Sequence, residues 1–150
     1  CGGAGSYIDT QKLPAIHSDR TVSIPELEKA VTALPAPGMI EVIALIDGGH
    51  IAARSEDIDR HNALDRVIGR GLRDGLDFSR TVAVGTGTVT SEMVRKCLVA
   101  NIPVLVSTGP PTALAVEVAE ETGLAIVGSA GTPEMAVYTH PERIEGCDGP

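Results

Sequence analysis

The chain has 150 residues, a length that usually forms one domain, with one Phe, two Tyr and no Trp. Its core must therefore consist of Val, Ile, Leu and Ala, which suits a sheet covered by helices. The formal net charge of −8 argues against nucleic acid or an anionic membrane as the main partner, although local groups could still hold one phosphorylated small ligand.

The first predicted element is a helix that begins near Ser23. Residues 1–20 are rich in glycine and are interpreted as an irregular, flexible arm. Ser23 followed by Pro25 and Glu26 is typical of a capped helix start. Pro35 ends this helix, whose apolar stripe consists of Ile24, Leu27, Val31 and Leu34.

A β-hairpin and a second helix are predicted next. Residues 39–46 are apolar except for Glu41 and indicate a strand. Asp47-Gly48-Gly49 is a turn signal, after which residues 50–54 form the returning strand. Residues 62–74 carry apolar side chains at helical spacing, so they are predicted to be helical.

Strand and helix then alternate as far as residue 128, and one more strand follows. The predicted strands are 81–85, 102–106, 124–128 and 135–139, and the predicted helices are 90–100 and 111–121. This alternation implies parallel strands joined by right-handed crossovers, which is an α/β fold. Residues 1–150 are predicted to form one domain, with a loose tail after His140.

Polar residues concentrate in the loops where ligands of such sheets bind, beside the carboxyl ends of strands and the N-termini of helices. These loops are residues 54–62, 85–91, 106–112 and 128–134. The run from Glu56 to Asp65 carries far more polar groups than a helix cap needs. We therefore expect a binding site at this edge of the sheet.

The residues of this run allow both a functional and a structural interpretation. Arg60 could clamp a carboxylate or phosphate through two parallel hydrogen bonds, or it could pair with Asp57 or Asp65. His61 could act as a base or a ligand-binding donor, or only as a structural donor. Asn62 could cap the helix, and Asp65 could lie behind Arg60.

A second polar segment, Gly85-Thr86-Gly87-Thr88, offers backbone N–H groups and hydroxyls that suit a phosphate. It is not a P-loop, because no Gly-Lys-Ser/Thr is present. It is not a complete dinucleotide fingerprint either, because Thr90 stands where the third glycine is needed. The alternative is a glycine turn followed by a Thr90 or Ser91 cap. Ser107 and Thr112 could line the same pocket.

The three cysteines are an odd number without short spacing, which fits neither a disulfide framework nor a zinc site. Cys1 precedes a Gly-rich stretch, and its thiolate could act as a nucleophile on a mobile arm or have no role. Cys97 is interpreted as a packing residue and Cys147 as inert. Without a run of 18 apolar residues or a signal peptide, the chain is expected in the cytoplasm and not at a membrane.

Several segments in one order resemble the formate dehydrogenase accessory sulfurtransferase family, FdhD/NarQ. They include Arg60-His61-Asn62 and Thr90-Ser91-Glu92-Met93, and they comprise residues 56–69, 90–94, 102–107, 111–117, 121–124 and 137–139. The likeness covers about residues 40–139 and the arm that carries Cys1. Because several motifs occur in the same order, the resemblance is specific.

The resemblance implies a fold and a chemistry. Members of this family have a cytidine deaminase-like domain, a three-layer α/β fold with a mixed sheet between helices and without the deaminase zinc ligands. They receive sulfur as a cysteine persulfide from a cysteine desulfurase. They pass it to the molybdenum of a bis-molybdopterin guanine dinucleotide cofactor for formate dehydrogenase, and their pocket accepts guanine nucleotide, so GDP is a surrogate.

Carried over residue by residue, the resemblance makes Cys1 the sulfur carrier. The residues expected to line the cofactor pocket are Arg60, His61, Asn62, Asp65, Thr86, Gly87, Thr88, Thr90, Ser91, Glu92, Ser107, Thr112 and Tyr138. No metal site and no zinc are expected. The implied partners are a cysteine desulfurase and a formate dehydrogenase, and a homodimer is left open.

Several positions depart from the family pattern. They are Ala4 for the second cysteine of a Cys-x-x-Cys-Gly loop, Glu41 for a His, Asp59 for a Gly, Thr88 for an Arg, and Ser129-Ala130-Gly131 for Phe-x-Arg. The added negative charge weakens anion binding. The family's smaller N-terminal domain is expected to be absent. Two alternative functions follow, a nucleotide- or molybdopterin-binding module without sulfur transfer, and a subunit that needs a partner chain.

Overall fold

The computed structural model describes residues 9–35 and 38–147, so Cys1 and Ala4 lie outside the described residues. In these ranges the α-helices are α1 (Ile24–Thr32), α2 (Arg60–Arg73), α3 (Ser91–Ala100) and α4 (Ala113–Thr122). The strands are β1 (Val22–Ser23), β2 (Glu41–Asp47), β3 (His50–Asp57), β4 (Thr81–Gly85), β5 (Val104–Ser107), β6 (Ala125–Gly128), β7 (Ala136–Thr139) and β8 (Ile144–Glu145). The predicted elements are thereby confirmed, with shifts of a few residues at their ends.

The main sheet has six strands in the order β3-β2-β4-β5-β6-β7. Its centre, β4-β5-β6, is parallel. The hairpin strands β2 and β3 add to one side of this centre in antiparallel fashion, and β7 adds antiparallel to β6 on the other side. This is the mixed sheet that the resemblance implied, since the crossovers through α3 and α4 require parallel strands and the short connections permit antiparallel ones.

Helices cover both faces of this sheet, which makes the fold three-layered. Side chains alternate between the faces along each strand. Ile43 and Leu45 of β2 pack with α2, α3 and α4, whereas Ala44 and Ile46 pack with α1 and the two-stranded β1-β8 sheet. Burial on both faces explains why β4, β5 and β6 are almost wholly apolar. Among the described residues, no helix has the length and apolarity needed to cross a bilayer.

The start of α2 differs from the prediction. The helix begins at Arg60 rather than at Asn62, because Asp59 is its N-cap and accepts a hydrogen bond from the His61 backbone N–H at 2.7 Å. Asn62 therefore lies in the first turn and does not cap the helix. The predicted cap of α3 is confirmed, since the Thr90 hydroxyl accepts from the Met93 N–H at 3.3 Å.

The described part of the tail after His140, residues 141–147, is not loose. Ile144 in β8 is 2% exposed, and β8 pairs in parallel with β1. The guanidinium of Arg143 donates to the backbone carbonyls of Ser18 at 2.7 Å and Gly123 at 2.8 Å. A two-residue strand has too few side chains to show a period, so the sequence pattern did not reveal it. In the described part of the N-terminal arm, Ile16 is buried and its N–H donates to the Thr122 carbonyl at 2.8 Å.

Candidate functional site

The loops that follow β4, β5 and β6 converge at one edge of the sheet and are joined by backbone hydrogen bonds. The Val89 N–H donates to the Pro110 carbonyl at 3.1 Å, and the Thr112 N–H donates back to the Val89 carbonyl at 2.9 Å. The Ser129 N–H donates to the Gly109 carbonyl at 3.0 Å, which ties in the third loop. The convergence expected for the carboxyl ends of parallel strands is thus present.

Two glycines allow the first two loops to touch backbone to backbone. A Cβ placed on Gly109 would lie 2.5 Å from the carbonyl carbon and oxygen of Gly87, which itself has a φ of +86°. The Gly87 N–H donates to the Thr108 hydroxyl at 3.3 Å, and the Ser107 hydroxyl donates to the Gly87 carbonyl. The Thr86 N–H donates to the Val42 carbonyl. The Thr86 and Gly87 N–H groups are therefore already engaged within the protein.

A charged pair, Glu41 and Arg60, lies over this crossing. Oε1 of Glu41 lies 3.5 Å from Nη2 of Arg60, and the Thr86 hydroxyl donates to Oε2 of Glu41 at 2.5 Å. The Thr86 hydroxyl also accepts from the Val42 N–H at 3.0 Å. The two charged side chains are 18% and 29% exposed, respectively, and Nε of Arg60 is buried without a hydrogen-bond partner. Arg60 is therefore only partly satisfied.

The observed partner of Arg60 differs from both partners considered from the sequence. Asp57 instead pairs with Arg66 at 3.3 Å, and Asp65 pairs with Lys96 at 2.7 Å. Glu41 reaches Arg60 because β2 and β3 pair with Glu41 opposite Asp57, which brings the start of β2 beside the start of α2.

His61 connects the N-termini of α2 and α3. Its Nδ1 lies 3.1 Å from Oδ1 of Asp59, and its Nε2 lies 2.8 Å from Oγ1 of Thr90. The His61 backbone N–H is the main cause that lowers the pKa of Asp59, and the His61 ring contributes as well. With Nδ1–H donated to the carboxylate, Nε2 accepts from the Thr90 hydroxyl, which is also the α3 cap. His61 is thus held by structural contacts on both ring nitrogens.

An open cleft of about 530 Å³ adjoins the Glu41–Arg60 pair. Its floor is formed by small residues, among them Gly87, Gly109 and Gly131, and its apolar wall lies at the end of α1. Its polar lining consists of Thr32, Glu41, Thr86, Thr108 and Thr132. Glu41, Thr108 and Thr132 were not among the predicted site residues. One feature of the sequence could have identified Glu41 as a site residue, since it is the only charged residue in the apolar segment 39–46.

The other predicted residues surround this cleft or lie apart from it. Asp65 and Glu92 line a different groove of about 650 Å³ between α2 and α3, whose walls are mostly apolar. Thr112 caps α4 by accepting from the Ala115 N–H at 3.1 Å. Tyr138, which is 41% exposed on β7, is also outside the cleft lining. The same holds for Arg60, His61, Asn62, Thr88, Thr90, Ser91 and Ser107.

The cysteines of the described ranges have different surroundings. Cys97 is fully buried, and burial raises the pKa of its thiol to about 12, which disfavours the nucleophilic thiolate. Cys147 is half-buried. Within residues 9–35 and 38–147, no three His, Cys, Asp or Glu side chains group as metal ligands.

Known proteins are similar to this chain in sequence and fold. Residues 14–145 match the model of the FdhD/NarQ family. The chain is 35% identical to the "Sulfur carrier protein FdhD" of Xanthomonas euvesicatoria over 97% of its own length and 54% of the relative's. For the protein of the same name from Thermoplasma volcanium, the identity is 38% over 82% of this chain and 45% of the relative.

A solved structure is also similar to this chain. The crystal structure of a protein described as a formate dehydrogenase accessory protein from Desulfotalea psychrophila superposes with a TM-score of 0.79 at 26% identity. The match covers 90% of this chain and 61% of that one. The chain thus spans about half the length of the curated relatives that it matches. Because the family model covers most of its residues, this chain belongs to the FdhD/NarQ family.

Proposed function

We propose that this chain is the cleft-bearing part of a sulfur carrier that serves formate dehydrogenase maturation in the cytoplasm, with Cys1 as the carrier. The observation that carries the proposal is the 35% identity, over 97% of the chain, to a relative named a sulfur carrier protein. The buried, high-pKa thiol of Cys97 disfavours that residue as the carrier, which leaves Cys1 and the half-buried Cys147. Cys1 is the residue that the family resemblance selects.

In the proposed transfer, the Cys1 thiolate attacks the terminal sulfur of a persulfide on a cysteine desulfurase. A new S–S bond forms on Cys1, the S–S bond of the donor breaks, and the desulfurase cysteine leaves as a thiolate. The sulfur moves at constant oxidation level, so the step needs no external oxidant or reductant. Ala4 excludes a disulfide between positions 1 and 4 that would compete with the persulfide.

In this proposal the cleft receives part of the substrate, the molybdenum bis-molybdopterin guanine dinucleotide cofactor. The glycine floor lets a flat group approach the backbone, and the partly satisfied Arg60 lies beside it. GDP is the surrogate ligand for this cleft. The client in this proposal is formate dehydrogenase. Whether the protein forms a homodimer is tested by light scattering of the purified protein.

Intact-mass spectrometry after incubation with a cysteine desulfurase and cysteine tests the carrier role. We expect a gain of about 32 Da, one sulfur atom, that dithiothreitol reverses, as for other persulfides. Cys1→Ala should abolish the gain, and Cys147→Ser is the matched control that should retain it. A Cys1→Ala protein that gains the same mass in the same yield would contradict the proposal.

A binding module without sulfur transfer is the second candidate. Its supporting observation is that the lining of the cleft, among the described residues, does not include a cysteine. Calorimetry with GDP distinguishes the two functions. GDP binding by a wild-type protein that accepts no sulfur would favour the module, whereas sulfur transfer that depends on Cys1 would exclude it.

A further inference from the structure

Glu41 joins the cleft to Arg60, since it lines the cleft and pairs with Arg60, which does not line the cleft itself. It is the first residue of β2 and lines the cleft, with its Oε1 at 3.5 Å from Nη2 of Arg60. A Cβ on Gly87 would lie 3.0–3.1 Å from both carboxylate oxygens and 2.9 Å from Nε of Arg60. The charged pair therefore rests directly on the Gly87 turn at the cleft floor.

The Glu41–Arg60 ion pair is longer, and has fewer hydrogen bonds, than the pairs a guanidinium can form with a carboxylate. Arg has five N–H donors, and its strong carboxylate pairs are bidentate with distances of about 2.7–2.9 Å. Here one contact of 3.5 Å joins Arg60 to Glu41, and Nε is buried without a partner. Because the Arg60 side chain is 29% exposed, an incoming anion could form shorter hydrogen bonds with its terminal nitrogens than Glu41 does.

The other carboxylates nearby do not compete for this role. Asp57 pairs with Arg66, and Asp59 receives hydrogen bonds from the backbone and ring of His61. Glu41 is held in place from its other side by the Thr86 hydroxyl. It is thus the internal counter-charge of Arg60 among the residues that the structure describes.

We infer that Glu41 is a specificity-determining residue, an internal counter-anion that a phosphate or carboxylate of a ligand must displace from Arg60. This inference rests on the proposed function, because it concerns ligand choice in the same cleft. Two like charges a few ångströms apart in a partly buried site repel strongly. Glu41 thereby disfavours simple phosphates and leaves the cleft to ligands whose remaining contacts outweigh that repulsion.

Calorimetric titration with inorganic pyrophosphate at low ionic strength tests the inference. Glu41→Gln keeps an oxygen for the Thr86 hydroxyl while removing the charge. Pyrophosphate should therefore bind this variant at least about tenfold more tightly than it binds the wild type, a difference in binding free energy of about 1.4 kcal/mol. Glu41→Asp keeps the charge and should stay within about twofold of wild type. Glu117→Gln removes the same charge from the exposed face of α4 and should also change little.

Adding Arg60→Gln to Glu41→Gln should abolish the gain in affinity, because the cation that holds the pyrophosphate would be gone. If Glu41→Gln does not fold, as judged by circular dichroism, Glu41→Ala provides a second uncharged side chain with the same expected direction. Affinity in the uncharged variant no higher than in Glu117→Gln, or a gain that persists without Arg60, would overturn the inference. Persulfide formation on Cys1, read by intact mass in the same variants, reports on the proposed function separately.

Discussion

Nε2 of His61 lies 2.8 Å from Oγ1 of Thr90, so the first turns of α2 and α3 are joined through a side chain that also caps a helix. Asp59 holds the opposite ring nitrogen at 3.1 Å. This chain of contacts fixes the two polar helix starts relative to each other. It gives the Arg-His motif a structural role even without a ligand.

Thr90→Ala should destabilise the protein more than the matched cap variant Thr112→Ala. Both variants lose a cap, which costs about 1 kcal/mol, but only Thr90 also bonds a histidine. We expect the free energy of unfolding in urea to fall by about 0.5–1.5 kcal/mol more for Thr90→Ala. An equal or larger loss for Thr112→Ala would show that the His61 contact contributes no stability.

Gly109→Ala should be destabilising because the new methyl group meets backbone atoms that no side-chain rotation can move. Its Cβ would lie 2.5 Å from the Gly87 carbonyl and 2.8 Å from the Thr88 nitrogen. We expect a loss of about 1–3 kcal/mol in urea unfolding. The control is Gly69→Ala in α2, where nothing lies within 4 Å and a gain of about 0.5–1 kcal/mol is expected. Equal effects would contradict the close crossing.

The stability of the protein should fall as pH rises through the pKa of His140. Both of its ring nitrogens face acceptors, Nε2 the Glu120 carbonyl at 2.9 Å and Nδ1 the Glu142 carboxylate at 2.7 Å, so the doubly protonated ring satisfies both. Burial lowers the pKa of His140, but these hydrogen bonds outweigh it and raise the pKa overall. A raised pKa stabilises the fold fully below about pH 6.5, the unfolded value, and the gain is lost above the folded value.

Urea unfolding across the pH range from about 5.5 to 8.5 measures this dependence. His140→Gln should flatten the curve, whereas His50→Gln, at an exposed histidine in the β2–β3 hairpin, should leave it unchanged. A His140→Gln protein that loses stability with pH as wild type does would contradict the assignment.

Ile144→Ala should weaken the fold although the residue lies near the end of the chain. Its side chain is 2% exposed and packs with the α1 layer, so truncation should cost about 2–5 kcal/mol. Ile58→Ala, at an isoleucine that is 78% exposed, should change the free energy of unfolding by no more than about 0.5 kcal/mol. A small effect at Ile144 would mean that β8 is dispensable.

The sequence predicted the fold better than the site, for physical reasons. Strands such as β4 and helices such as α2 bury several side chains at a regular spacing, which local patterns record. Ile144 is a single buried side chain, so it left no pattern. Glu41 and Arg60 are 19 positions apart in the sequence. They meet because the strand register places Glu41 opposite Asp57, close to the start of α2. Such pairing across strands depends on the whole sheet and cannot be derived from the residues next to Arg60. Those neighbouring residues include aspartates, which were therefore considered as its partners.

The close approach of Gly87 and Gly109 also bears on how this cleft can evolve. Because main-chain atoms form that part of the floor, its contour does not depend on side-chain identity, and any bulkier residue there would disturb two loops at once. Differences in side-chain chemistry are therefore confined to the rest of the lining, which includes Glu41, Thr108 and Thr132. The cleft thus joins a floor of main-chain atoms to walls of side chains, so substitutions in the walls can alter its chemistry while the floor keeps its contour.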